Sequence, residues 1–155
     1  MPKDLKKILL FADFRQEELE AVRAIARRSR ISRGEYVFKE GEPGDALILL
    51  DWGTLRLTKK TKSGDEQELI QLGSGSYLGE MAFVDPRVRS ATGQAVEDCQ
   101  ITIIPSSPLR SLLEKNPSMA SNFYRRLAVG VAQRLRYLNE DFAALKQFLA
   151  GKMTR

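Results

Sequence analysis

Nine of the eleven glycines fall at 34, 41, 44, 53, 64, 73, 75, 79 and 93, and they cut that part of the chain into short apolar runs. A parallel strand pair needs a crossover of about a dozen residues or more, usually helical. No interval here has room for one. Residues 31–105 are therefore restricted to short strands joined by tight turns, read at 35–38, 46–50, 54–60, 66–72, 91–96 and 99–104. Leu55 and Leu57 alternate with Arg56 and Thr58, the period of a half-buried strand. Lys62-Ser63-Gly64-Asp65 has the residues of a hairpin turn. Many short strands with frequent glycine turns point to a sandwich or barrel, and the expectation is a mainly β jelly roll.

The flanks have a different period. Leu5, Ile8 and Leu9 recur at helical spacing, and a second helix is expected over 16–28 with Leu19, Val22, Ala24, Ile25 and Ala26 on its apolar face. Glu17, Glu18 and Glu20 begin it, and Arg23, Arg27, Arg28 and Arg30 gather at its end, an order that complements the helix dipole and reads as a solvated helix end. After the strands, Ser107 and Pro108 are placed to open a short helix carrying Leu109, Leu112 and Leu113. Asn116-Pro117 breaks it, and Ser118 begins a long final helix reaching about Ala150, before Gly151. Gly130 interrupts that helix at a cost of about 1 kcal/mol against Ala. The expected organisation is one domain over 1–155: helices in 1–30, the β region in 31–105, a short helix at 107–116 and the long helix at 118–150.

In the final helix Val131, Leu135, Leu138, Phe142, Leu145 and Leu149 are spaced 4, 3, 4, 3, 4. This is a heptad stripe, which either packs back onto its own β region or pairs with a second copy as a dimer seam.

Composition narrows the chemistry. A length of 155 residues suits one domain, and 25 basic against 20 acidic residues leave a net charge of +5, which mildly favours anionic partners. The absence of His removes the usual general base and imidazole metal ligands. Cys99 is alone, so there is no disulfide framework or thiolate cluster, and a reducing, cytoplasmic setting is expected. The apolar patch at 8–12 runs straight into Asp13 and is too short for a signal peptide, and no run approaches a membrane span. An enzyme is not expected, nor a nucleic-acid binder: the pairs Arg125-Arg126 and Arg134, Arg136 offer charge without a reading module and read as a solvated helix face.

The stretch GSGSYLGEMAFVDPRVRSAT, residues 73–92, carries the chemistry. It matches neither phosphate-loop fingerprint. Its small residues let backbone approach a ligand, and free N–H groups there can form a nest around a phosphate. Arg89 supplies a planar donor fork suited to phosphate oxygens. Glu80 accepts hydrogen bonds, as from a sugar hydroxyl. The pair reads either as the two ends of a pocket for a phosphorylated sugar or as a Glu80–Arg89 salt bridge that pins a loop.

On these residues the chain resembles the cyclic nucleotide-binding domain family, the sensor domain of catabolite-activator-type regulators. The resemblance covers almost the whole chain. Gly34-Glu35-Tyr36-Val37-Phe38 and Glu40-Gly41-Glu42-Pro43-Gly44-Asp45-Ala46 are similar to that family's first strand and turn. Tyr77-Leu78-Gly79-Glu80-Met81-Ala82 with Arg89-Ser90-Ala91-Thr92 resembles its phosphate-binding cassette. The resemblance implies an eight-stranded jelly-roll barrel with flanking helices, and cyclic AMP, or cyclic GMP, as a regulatory ligand. Glu80 would accept the ribose 2′-hydroxyl, Gly79 would admit the ribose, and Arg89 would pair with the cyclic phosphate. Ser90 and Ala91 would offer backbone amides. Leu69, Ile70, Leu72 and Tyr77 would wall the base, and Arg134, Gln133 or Asn139 on the covering C-terminal helix would face it.

Two features depart from the pattern. Residues 84–88 are inserted ahead of Arg89, which makes Arg87 a rival, and Gly93 stands where a strand residue is expected and suggests a bulge. Only five residues follow Ala150, too few for a helix-turn-helix module, so no direct DNA binding and no membrane contact are expected. The expected partners are a cyclic nucleotide, a second copy through the C-terminal helix and a protein effector. The alternative is a domain of the same fold that binds no nucleotide and acts by protein contact.

Overall fold

The structure, a computed structural model, describes residues 5–153. Two short 3-10 turns, Leu5–Lys7 and Leu9–Phe11, precede helix α1, Gln16–Ile25. The strands are β1 (Arg27–Ile31), β2 (Tyr36–Phe38), β3 (Ala46–Trp52), β4 (Leu55–Lys60), β5 (Glu66–Leu72), β6 (Tyr77–Leu78), β7 (Thr92–Ala95) and β8 (Cys99–Pro105). Helix α2 (Glu80–Val84) lies between β6 and β7, and α3 (Ser106–Lys115) and α4 (Pro117–Met153) close the chain.

The six expected strands form, and every named pairing is antiparallel. The closed jelly-roll barrel does not. The strands make two separate four-stranded sheets, ordered β1-β8-β3-β6 and β2-β7-β4-β5, with no strand shared between them. The edges explain why. β6 is cut to two residues where Gly79 turns the chain into α2, and β2 keeps only three, so neither edge has the length to continue into the other sheet. The chain is also not mainly β: α4 alone runs 37 residues, against seven for the longest strands, and the fold is a mixed α/β one.

Ile48, Leu50, Leu55, Leu78, Ala95 and Ile101 fill the space between the sheets. The other face of the first sheet gives Leu47, Leu49 and Ile104 to a second core with the helices. Here Phe11, Phe14, Phe83 and Phe123 meet edge-on or tilted, with centroids 5.3–6.4 Å apart. Such pairs add about 0.5–1.5 kcal/mol each beyond the area they bury. Asp13 ties the same region to α4, accepting two bonds from Arg126 and one from Arg125, all 2.6 Å. Arg126 holds the Asp13 carboxyl below its usual range.

Several local expectations change. Residues 27 and 28, read as the end of a helix over 16–28, belong instead to the edge strand β1, where charged residues discourage pairing with other chains. Leu5 and Leu9 sit in 3-10 turns rather than one helix. α3 starts one residue early and lacks a side-chain cap, Ser106 N donating instead to the Asp45 carbonyl. Asn116, not Ser118, caps α4: its Oδ1 accepts from Met119 N at 3.1 Å while its Nδ2 reaches the buried Glu18. α4 runs through Gly151.

The first part of α4 is seated by Met119, Phe123 and Leu127, but from Val131 onward the heptad stripe is 44–64% exposed. It does not pack back onto its own domain. Among the described residues no helix is long and apolar enough to cross a membrane.

Gly130 is not a passive interruption. A Cβ there would collide with the Tyr77 hydroxyl and stand 3.3 Å from Leu9 Cδ2. Gly130→Ala, favourable in an isolated helix, is expected to lower the thermal midpoint by about 5 °C, given roughly 2–4 °C per kcal/mol at this size. In a Tyr77→Phe background most of that loss is expected to disappear in the same melting measurement.

Candidate functional site

Arg89 is the arginine that the fold buries, at 6% exposure. Residues 38–46 enclose it. Its backbone N donates to Glu42 O at 2.7 Å, and Gly41 N donates to its carbonyl at 2.9 Å. Its Nη2 donates to the Ala46 carbonyl at 3.0 Å. Nε and Nη1 are buried with no hydrogen-bond partner. Burial pushes the guanidinium pKa below its ordinary value, while the negative charges of Asp45 and Glu42 oppose the shift. An arginine remains protonated under all ordinary conditions, so the site presents a fixed positive charge with two unused donors.

Arg89 lines a cleft of about 210 Å³. Leu78, Gly79, Glu80, Met81 and Ala82 form one side, Arg89, Ser90 and Ala91 another, and Arg134 reaches in from α4. Phe38, Leu57 and Val88 complete the apolar lining. Gly79 is required twice over. Its φ of +87° belongs to the left-handed region, and a Cβ would lie 2.5 Å from both the Ala46 carbonyl oxygen and Arg89 Nη1. The same residue starts α2, which turns Glu80 inward and buries Phe83 against Phe123.

Glu80 is buried at 3% exposure and does not pair with Arg89 in a loop-pinning bridge. Its carboxylate is met by Arg134 Nη1. Arg134 also donates from Nη2 to the Tyr77 carbonyl at 3.0 Å and stacks over the Tyr77 ring at 4.8 Å. One α4 side chain thus bridges the loop on both sides of Gly79.

The structure brings Leu78, Gly79, Glu80, Met81, Ala82, Arg89, Ser90, Ala91 and Arg134 together around one cleft. It leaves Leu69 and Ile70 more than half exposed on the edge strand β5, outside the lining, and Leu72 packs between the sheets. Tyr77 lies in the helix-side core beneath Gly130 and is not part of the lining. Gln133 is on another face of α4 beside Tyr137 and Glu140, and Asn139 is exposed. Arg87, the rival arginine, also lines the cleft together with Asp85, but it is exposed and bound to Asp85 at 2.7 Å. Phe38, Leu57 and Val88 were not foreseen as lining residues. Phe38 and Leu57 belong to the second sheet, and only the packing of the two sheets brings them to the cassette.

With this geometry, comparison with known proteins identifies the class. Residues 28–116 match the model of the cyclic nucleotide-binding domain, and the chain belongs to that family. It is 33% identical over 127 residues to the Cyclic AMP receptor protein of Thermus thermophilus, covering 82% of this chain and 57% of that protein. A Thermus thermophilus Catabolite Activator Protein structure aligns with a TM-score of 0.74 at 31% identity, over 89% of this chain and 63% of that one. The N-terminal domain of a transcriptional regulator from Streptomyces coelicolor aligns at 0.73 and 30% identity, over 89% and 96%. The chain therefore spans less than two thirds of these full-length relatives and nearly all of the isolated regulator domain. Its character is that of a regulatory domain.

Gly79→Ala tests the tight turn. It forces an unfavourable backbone conformation, worth about 1–2 kcal/mol, and meets the Ala46 carbonyl as well. A fall of at least about 5 °C in the thermal midpoint is expected, against little change for Gly73→Ala, where a Cβ meets nothing within 4 Å.

Proposed function

We propose that the cleft binds a cyclic nucleotide, cyclic AMP in preference to cyclic GMP, and that α4 relays its presence. The observation that carries this reading is the buried Arg89 with two donor nitrogens unpaired at the wall of a cleft. A buried charge without full hydrogen bonding costs several kcal/mol. A singly charged phosphodiester supplies both the missing acceptors and the countercharge. Ser90 and Ala91, next to Arg89 in the lining, would add backbone amides. The name of the Thermus relative, a cyclic AMP receptor, favours the adenine ligand.

At the sugar end, Glu80 would accept the ribose 2′-hydroxyl. A carboxylate has about four lone-pair sites, so it can hold this donor together with Arg134. Leu57, Met81 and Val88 offer apolar surface to the base. The relay follows from what Arg134 touches. Ligand at Glu80 alters the partner set of a side chain that also holds Tyr77, against which Gly130 is packed. Coupling requires the ligand to bind two positions of α4 with different affinity. The exposed stripe from Val131 to Leu149 is the surface through which a second copy would pair, so a shift of α4 would change the dimer seam or a surface shown to a protein effector.

Calorimetry with both cyclic nucleotides tests the ligand. Arg89→Gln is expected to weaken cyclic AMP binding at least about a hundredfold, in line with the loss of a charge-assisted contact of roughly 3 kcal/mol. Glu80→Gln is expected to weaken it less and to reduce discrimination against the 2′-deoxy ligand. No heat and no thermal shift with either nucleotide would leave a domain that works by protein contact. The seam is tested separately by sedimentation: the parent is expected to be dimeric, and Leu138→Glu with Leu145→Glu monomeric with an unchanged circular dichroism spectrum.

A further inference from the structure

Phe38 was not assigned a part in ligand binding, yet it touches the side chain on which that binding depends. Its ring lies against the Arg89 guanidinium, 4.7 Å from Cζ to the ring centroid, and it forms part of the cleft wall. The facing strand makes the room. β2 meets β7 with a shift of register between Tyr36 and Phe38, which sets Phe38 opposite Gly93. A Cβ on Gly93 would stand 2.9 Å from Phe38 Cζ and 3.0 Å from Cε1. Gly93 is not at positive φ, so its missing side chain, not its backbone freedom, is what the position uses. Just beyond Phe38 the chain clasps the same region again: Glu40 N donates to Thr92 Oγ1 at 2.9 Å, and residues 41 and 42 pair with the Arg89 backbone.

We infer that Phe38 is a positioning residue for the anion-binding end of the cleft, with Gly93 as the residue that admits its ring. The inference rests on Arg89 being the phosphate anchor. A guanidinium donates through its edge and not through its face. Nη2 is fixed on the Ala46 carbonyl, and the guanidinium carbon lies over the ring. Two such restraints hold the group in place and leave Nε and Nη1 unoccupied. An aromatic face attracts the cation and accepts no bond in the guanidinium plane, so it does not compete with a ligand for those donors. A carboxylate at this position would orient the arginine equally well but would consume its donors and cancel its charge. The same observation accounts for Gly93, where a larger residue suits a strand better.

The test compares the parent with Phe38→Leu, Phe38→Tyr and Gly93→Ala. Leu keeps an apolar side chain between the sheets, and the amide NMR spectrum reports that each variant is folded. In the nucleotide-free parent the Arg89 Nε–H resonance, assigned by its loss in Arg89→Gln, is expected to be ring-shifted and slow to exchange. It should lose both properties in Phe38→Leu and keep them in Phe38→Tyr. Cyclic AMP binding by calorimetry is expected to weaken about tenfold in Phe38→Leu and Gly93→Ala, and to stay within about twofold in Phe38→Tyr. In an Arg89→Gln background, Phe38→Leu should then have no further effect. Parental affinity in Phe38→Leu, or the same loss with and without Arg89, would overturn the inference, since the ring would then be inert or a direct ligand wall. If the parent binds neither cyclic nucleotide, the ligand reading fails by itself. The Nε–H signal still decides the positioning role: an unchanged shift and exchange rate in Phe38→Leu overturns it, and their loss supports it.

Discussion

Burying the Arg89 guanidinium with two donor nitrogens unsatisfied opposes folding, and much of this domain is arranged around that opposition. The Ala46 carbonyl takes one nitrogen, the Phe38 ring covers a face, and Asp45 and Glu42 hold the charge on the group from a distance. All four come from residues 38–46, a segment more than forty positions away in sequence. The turn between β2 and β3 is thus the bed of the arginine as well as a connection. Gly79 completes the arrangement by having no side chain where the guanidinium and the Ala46 carbonyl converge.

From this centre two routes lead to α4. One is polar: Glu80, Arg134 and the Tyr77 carbonyl. The other is apolar: Phe83 of α2 meets Phe123, which touches Phe11 and Phe14 of the N-terminal turns. Asp13 then secures those turns to Arg125 and Arg126. The loop beside the cleft, the N-terminal turns and the seated part of α4 are consequently packed as one group, and none of them can be displaced alone without opening aromatic contacts. The cleft and the helix are coupled by packing as well as by an ion pair.

What the sequence made legible follows from the range over which each signal acts. Strands set by alternation and bounded by glycines, such as Leu55–Lys60, were readable because both signals are local. So were Gly79, Glu80 and Arg89, whose neighbours form a compact motif. β1 was hidden because Arg27, Arg28 and Arg30 suit a helix end as well as a strand edge, and only pairing with β8 decides between them. β6 and α2 are too short to show a period. The failure of the barrel to close depends on edge lengths that emerge only when the sheets assemble. Arg134, the partner of Glu80, was one of three polar candidates on α4 until the seating of Leu127 and Gly130 set the helix rotation. Phe38 shows in the sequence only as part of a strand motif, and its place against Arg89 depends on a shifted register, which no local pattern reports.

The long final helix has a mechanical meaning. Arg134 ties the helix to Tyr77, and from there the helix continues to Met153, which at 1.5 Å per residue is a further length of about 28 Å. With its pivot at Tyr77, a tilt of about 10° would carry the far tip through roughly 5 Å, the height of one helical turn. A sub-ångström adjustment at the fulcrum would thereby be magnified into a displacement large enough to change which residues face each other across any helix paired with it.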